Sequence, residues 1–151
     1  MKLAGDRQAR GFTLLEVLTA VVVVGVLAAI AIPSWRTHLL RARRGDATAA
    51  LIAVQKGQDG FFGSRARYAD ASQLATPPPD GLGLGATSAR GFYRIELATS
   101  PDGLGYTATA TATPSEGQSD DTRCASFSID HFGQRRAVDS DGNDRTPDCW
   151  K

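Results

Sequence analysis

Phe12-Thr13-Leu14-Leu15-Glu16-Val17-Leu18-Thr19-Ala20-Val21-Val22-Val23-Val24-Gly25-Val26-Leu27-Ala28-Ala29-Ile30-Ala31-Ile32 is a run of 21 residues with one charge, Glu16. As a helix, at 1.5 Å rise per residue, it is about 31 Å long, the thickness of a bilayer core. Val21 to Val24 and Val26 to Ile32 are apolar on every side of such a helix, whereas a core helix in a one-domain protein keeps a polar face. The segment therefore reads as membrane-resident. Ala29 and Ala31 form an A-x-A pattern of the kind that precedes signal-peptidase cleavage, but the run exceeds the usual apolar region of about 7 to 15 residues and carries a carboxylate inside it. A carboxylate in apolar helix costs on the order of 2.5 to 3.5 kcal/mol, so it calls for a partner. No Lys, Arg or His lies between Phe12 and Ile32, and the partner has to come from another chain or from a newly made amino terminus.

Outside that run the chain is ordinary and polar. Its 151 residues, 42% hydrophobic and 22% charged, suit one domain, and 17 basic against 16 acidic side chains give +1, which removes any argument for a polyanion partner from global charge. The two cysteines and two histidines do not read as a zinc site, since Cys124 and Cys149 lack knuckle spacing. His38 and His131 have no nucleophile or acid set beside them in a catalytic pattern, so no enzyme is expected and no cofactor.

Gly11-Phe12-Thr13-Leu14-Leu15-Glu16, behind a short leader with Lys2, Arg7 and Arg10 and ahead of the apolar run, resembles the processing signature of type IV pilins and their pseudopilin relatives. The resemblance implies that a prepilin peptidase cuts after Gly11 and methylates Phe12. Glu16 then becomes the fifth mature residue and pairs with the methylated amine of a neighbouring subunit, fixing axial register. Gly25 and Pro33 match positions of the family helix; glycine lowers helix propensity and proline lacks an N–H, so the stretch between them is the weakest part of the rod. More loosely, the paired cysteines, Phe132-Gly133-Gln134-Arg135 and the Asp148-Cys149-Trp150 ending resemble PilE-type minor pilins.

With three basic residues before the run and Arg36, Arg41, Arg43 and Arg44 after it, positive charge does not settle orientation. Two cysteines in a chain of exported organisation do: one Cys124–Cys149 disulfide, with the C-terminal part in an oxidising compartment and the leader in the cytoplasm. The expected location is the inner membrane, single-pass with a periplasmic C-terminal domain, and then the extracellular pilus.

Past Pro33, Leu40, Ala47, Leu51, Val54 and Phe61 recur at three- and four-residue steps, interrupted at Arg44. This predicts one dry helix face, continuing to about Phe62 with Gly60 and Gly63 as stop signals. Period-two alternation then marks strands at Tyr93–Leu97, Tyr106–Thr113 and Ala125–Asp130, with a shorter fourth from Gln134 to Val138. Between helix and sheet, Thr76-Pro77-Pro78-Pro79-Asp80 and Gly81-Leu82-Gly83-Leu84-Gly85 read as a loop of extended polyproline character; the glycine spacing is not that of a dinucleotide site. The fold expected is α+β, a long N-terminal helix packed on an antiparallel sheet of about four strands, the pilin fold. Its parts are a leader over 1–11, the transmembrane and assembly helix over 12–33, its amphipathic continuation over 34–63, a connecting loop over 64–91, and the sheet with a disulfide-bounded C-terminal loop over 92–151.

Asp139-Ser140-Asp141-Gly142-Asn143-Asp144 imitates the start of a calcium loop but has Asp144 where that loop needs glycine and Trp150 where it needs glutamate, so no metal is expected. From Arg123 onward basic and acidic residues balance, and only a fold that segregates the signs would give DNA a basic face. The functional expectation is a type IV pilus subunit, of minor type, serving adhesion, twitching motility or DNA uptake, with a type II secretion pseudopilin and a DNA-receptor competence pilin as alternatives. Expected partners are other pilin subunits, the prepilin peptidase, the inner-membrane assembly platform and, before assembly, the membrane itself.

Overall fold

The computed structural model describes residues 12–150. Helix α1, Leu14–Arg65, is continuous through Gly25 and Pro33. It opens at Thr13, whose hydroxyl accepts from the Glu16 backbone N–H at 3.3 Å, satisfying one of the orphan donors of the first turn. The chain divides into two compact units, one up to His38 and one from Leu39 onward.

In the first unit the helix is exposed along its whole apolar length, Val21 at 66% and Ile30 at 70% being representative. In the second unit the same helix turns one stripe inward, with Ala47, Leu51, Val54 and Phe61 buried. It does not stop at Gly60 or Gly63. Both glycines lie within α1, and the terminator is Ala66, in the left-handed region at φ 53, whose N–H bonds back to the Phe62 carbonyl at 2.8 Å. The Phe62 ring meets Tyr68 at 4.6 Å, which holds the turn that the strained alanine makes.

Four strands follow: β1 Tyr93–Thr99, β2 Tyr106–Ala112, β3 Ser126–Asp130 and β4 Arg135–Val138. They pair antiparallel in the order β1-β2-β3-β4. Alternation sends Tyr93, Ile95, Leu97, Ala108, Ala110, Phe127, Ile129 and Ala137 into one core with the helix stripe. Ala108 and Ala110 have no exposed surface, and their small side chains leave room for the facing helix. Both sheet edges are partly covered. Ala86 accepts from the Ile95 N–H on the β1 side, while Val138 bridges Asp144 and Ala137 accepts from Arg145 on the β4 side, so each edge strand is paired over part of its length. Helix α2, Thr146–Cys149, ends the described chain.

The connecting loop is not extended. Asp70 caps a short 3-10 turn, Ala71–Gln73, in a capping box with Gln73, and Leu82, Gly83 and Leu84 then donate back to Gln73, Thr76 and Leu74. A Cβ on Gly81 would collide with the carbonyls of Gln73 and Thr76, so the doubling-back requires glycine there. The three prolines lie in this reversal, with a cis bond between Pro78 and Pro79, because the backbone hydrogen bonds on either side outweigh their extended preference.

Candidate functional site

The first unit presents one surface. Leu14, Leu15, Leu18, Val21 and Ile30 all lie open to their surroundings on a single helix, with Phe12 exposed just ahead of it, an apolar area suited to lipid or to other helices. Among the described residues the Glu16 carboxylate makes no hydrogen bond or ion pair, so the structure places it on this surface without supplying its partner. Phe12 begins the described chain, and Gly11, with the rest of the leader, lies outside the described residues. A Cβ on Gly25 would meet nothing within 4 Å, so its place in the sequence reflects backbone behaviour or a neighbouring chain rather than packing within this one.

The second unit presents the face of the sheet turned away from the helix. The register aligns Glu96, Thr109, Ser128 and Arg136 in one row and Arg94, Thr111, Ser126 and Val138 in the next. This is a hydroxyl-lined platform with an arginine at each edge. Beside it, Trp150 donates its indole N–H to the Arg136 carbonyl at 2.9 Å and packs its ring against Phe127 at 6.0 Å, with the Arg135 guanidinium 5.2 Å from the ring centroid.

The C-terminal segment is closed covalently. Cys124 and Cys149 form a disulfide with Cα atoms 5.9 Å apart. Within the loop it bounds, Asp139 accepts from the backbone N–H groups of Asp141 and Asn143, from the Asn143 amide and from Arg145 Nε. Partial burial works against the charged form, but these donors outweigh it and hold the Asp139 carboxyl down at about 2. Nitrogen donors thus occupy the Asp139 oxygens, and among the described residues no group of three or more His, Cys, Asp or Glu is placed to hold a metal ion.

Polar contacts that the sequence did not identify tie the helix to the rest of the second unit. Arg44 breaks the apolar stripe because it forms a two-pronged pair with Asp121, at 2.7 and 2.8 Å. The neighbouring Arg43 reaches Glu116 at 2.6 Å and lies over the Phe92 ring, and Glu116 adopts a positive φ of 47 to meet it. Gln118, fully buried, donates to the Tyr93 hydroxyl at 2.9 Å. Burial, with the Asp121 charge nearby, pushes the Tyr93 phenol above its ordinary range, so it stays a neutral acceptor. Together these bonds fasten the β2–β3 connection to the helix. On the other flank Gln58, also fully buried, bonds both the N–H and the carbonyl of Ala69. The one visible signal was the polar interruption at Arg44; Gln58 and Gln118 announce nothing in isolation.

Arg123 pairs loosely with Asp148 at 3.6 Å, Arg145 with Asp139 and Arg65 with Asp80. Among the described residues, Arg36, Arg41, Arg67, Arg90, Arg94, Arg135 and Arg136 form no ion pair, and all seven are exposed.

Residues 33–128 match the family model described as type IV minor pilin ComP, DNA uptake sequence receptor, and residues 6–32 match the prokaryotic N-terminal methylation motif. Over 90 residues the chain is 36% identical to the type IV major pilin protein PilA of Myxococcus xanthus, an alignment covering 59% of this chain and 38% of that protein. Over 68 residues it is 31% identical to the type II secretion system core protein G of Dickeya chrysanthemi, covering 45% and 44% respectively. The chain thus spans less than half the length of these two relatives. A type IV pilin structure from Shewanella oneidensis superimposes with a TM-score of 0.50 at 22% identity, over 74% of this chain and 98% of that one. That likeness establishes the fold.

Proposed function

The chain belongs to the type IV minor pilin family of DNA uptake sequence receptors, and from that premise we propose that it is a minor rather than a major subunit, with its sheet domain on the periplasmic side before assembly. It is a type IV pilus subunit, and its family and fold are those of structural proteins. The minor assignment is supported by the family description, and the filament reading by the first unit: an exposed apolar helix with one unpaired carboxylate, a surface suited first to lipid and then to the helices of a filament. In this reading the prepilin peptidase cuts after Gly11 and methylates Phe12, the inner-membrane platform extracts the subunit, and Glu16 pairs with a neighbour's methylated amine. Gly25 and Pro33 would let the helix yield locally as subunits pack. The test is deletion of the gene with separate scoring of surface pili, twitching, secretion and transformation; loss of secretion alone would contradict it.

DNA reception is the finer reading that the family description brings. Its support here is the exposed arginines without ion pairs, two of which, Arg136 and Arg94, each end one of the two hydroxyl-bearing rows; arginine and hydroxyl donors together suit phosphate oxygens. Binding of duplex DNA that weakens steeply with added salt is the expected behaviour, and binding indifferent to salt would contradict it. The pseudopilin alternative draws on the likeness to core protein G. In this chain the tail is held by the disulfide and by the hydrogen bonds of Asp139.

A further inference from the structure

A cleft of about 400 Å³ in the second unit lies between α1 and the disulfide-closed C-terminal segment. The helix supplies Arg41, Arg44, Gly45 and Thr48, which recur at three- and four-residue steps and so share one face. Arg123 and Asp148 form the other wall, held together because each precedes one cysteine of the Cys124–Cys149 bridge. Three guanidinium groups therefore meet at one opening, and the chain does not use up their donors. Arg41 is exposed and makes no hydrogen bond or ion pair among the described residues. Arg44 commits Nε and Nη2 to Asp121. Its Nη1 has no acceptor among the described residues and keeps accessible surface. Arg123 stands 3.6 Å from Asp148, beyond hydrogen-bond reach. Against these three cations stand two carboxylates, Asp148 on the rim and Asp121 behind Arg44. The floor is open, since a Cβ on Gly45 would meet no atom within 4 Å.

Converging guanidinium donors suit a phosphate, whose several oxygens can each accept from a different arginine. The place of the cleft in the chain favours a lipid as the source of that phosphate. Arg41 comes nine residues after Ile32, the end of the apolar run, and helical side chains lean toward the helix N-terminus, here toward the apolar segment. Exposed Trp35 and Arg36 lie in the interval, and both are residue types that anchor at a membrane–water interface. We propose that, before assembly, this cleft holds the phosphate of an anionic lipid headgroup, with Arg41, Arg44 and Arg123 as its donors. The lipid source rests on the membrane reading above, while the phosphate chemistry of the cleft stands on its geometry alone.

The first test uses the full-length protein in maltoside micelles, with backbone amide NMR shifts followed during titration with dihexanoyl phosphatidylglycerol and, in parallel, dihexanoylglycerol. Saturable shifts at Gly45, Thr48 and Arg123 are expected with the phospholipid and not with the glyceride. Arg41→Gln and Arg123→Gln should each weaken that binding about fivefold or more, as the loss of a charge-assisted hydrogen bond does. Arg65→Gln, which removes the same charge from the far end of α1, should leave it unchanged. Asp148→Asn should tighten it, because the carboxylate repels the phosphate and competes for Arg123. Gly45→Leu should block it and leave the remaining spectrum in place, since the space there is open. Equal response to the glyceride, no saturation, or unchanged binding in both Arg41→Gln and Arg123→Gln would overturn the site. Duplex DNA that shifts the same amides and displaces the phospholipid would overturn it in favour of a nucleic-acid phosphate. The second test places a photo-crosslinking residue at Thr48 in full-length protein reconstituted into phosphatidylglycerol nanodiscs. A phosphatidylglycerol adduct is the expected product, and its amount should fall when inorganic phosphate is added in excess. Inserted protein that gives no adduct, with inorganic phosphate still shifting Gly45 and Thr48 in micelles, would overturn the lipid source and assign the cleft to free phosphate. Failure of the chain to insert would overturn the membrane reading itself.

Discussion

Removing the Asp121 carboxylate is the perturbation with the largest calculable consequence. Arg44 Nε and Nη2 each contact one Asp121 oxygen, at 2.7 and 2.8 Å, and the two side chains are 14% and 4% exposed. An exposed ion pair contributes about 0 to 1 kcal/mol, but breaking a buried one costs about 3 to 5 kcal/mol, because the remaining charge stays buried without its partner. Burial here is close to complete, so the larger range applies to Asp121→Ala. The cost extends to the neighbours, since the same loop holds Gln118 against Tyr93 and the Leu40 carbonyl. In urea, with a slope of about 1.5 kcal/mol per molar, the unfolding midpoint of a soluble domain starting at Ser34 should fall by roughly 2 to 3 M, followed by far-UV circular dichroism. Arg44→Met combined with Asp121→Ala should be more stable than Asp121→Ala alone, since it removes the stranded guanidinium. A loss under about 1 kcal/mol for Asp121→Ala would show that the pair behaves as a surface pair and refute the reasoning.

Glu16→Ala should leave the protein inserted and processed but reduce its incorporation into sheared pili, measured by immunoblot of this chain itself; normal incorporation would remove the pairing role. Reduction of the Cys124–Cys149 bridge, which closes a separation of 25 residues, should cost about 3 to 4 kcal/mol in the chain-entropy model and lower the melting temperature, whereas a chelator should leave it unmoved. The folded-state carboxyl of Asp139 titrates at about 2 against an ordinary 3.8, so its stabilising contribution is full above about pH 4 and lost as pH falls towards 2. Asp139→Asn should flatten stability across that window in acid unfolding curves, and an unchanged curve would contradict the assignment.

What the sequence made legible followed from periodicity. The stripe Ala47, Leu51, Val54 and Phe61 and the alternating strands each carry a period that burial enforces, and the structure buries those sides. The helix terminus was misplaced because Gly60 and Gly63 lower helix propensity without forbidding helix, while the effective signal, a left-handed Ala66 held by the Phe62–Tyr68 contact, depends on tertiary packing. The prolines of the loop misled for a similar reason: local preference for extended chain lost to hydrogen bonds between Gln73 to Thr76 and Leu82 to Leu84. The pairs Arg44–Asp121 and Gln58–Ala69 join residues 77 and 11 positions apart, and no local pattern marks such partners. The surface of the first unit was legible from composition alone, since an all-apolar helix has nothing in its own chain to cover it.

The most direct test of the account is the intact mass and N-terminal sequence of this protein recovered from sheared surface pili. A chain that begins at Phe12, carries one methyl group on its amine and retains the whole apolar helix is the predicted result. Recovery only outside pili, or a chain that begins at Ile32 after ordinary signal-peptidase cleavage, would contradict it.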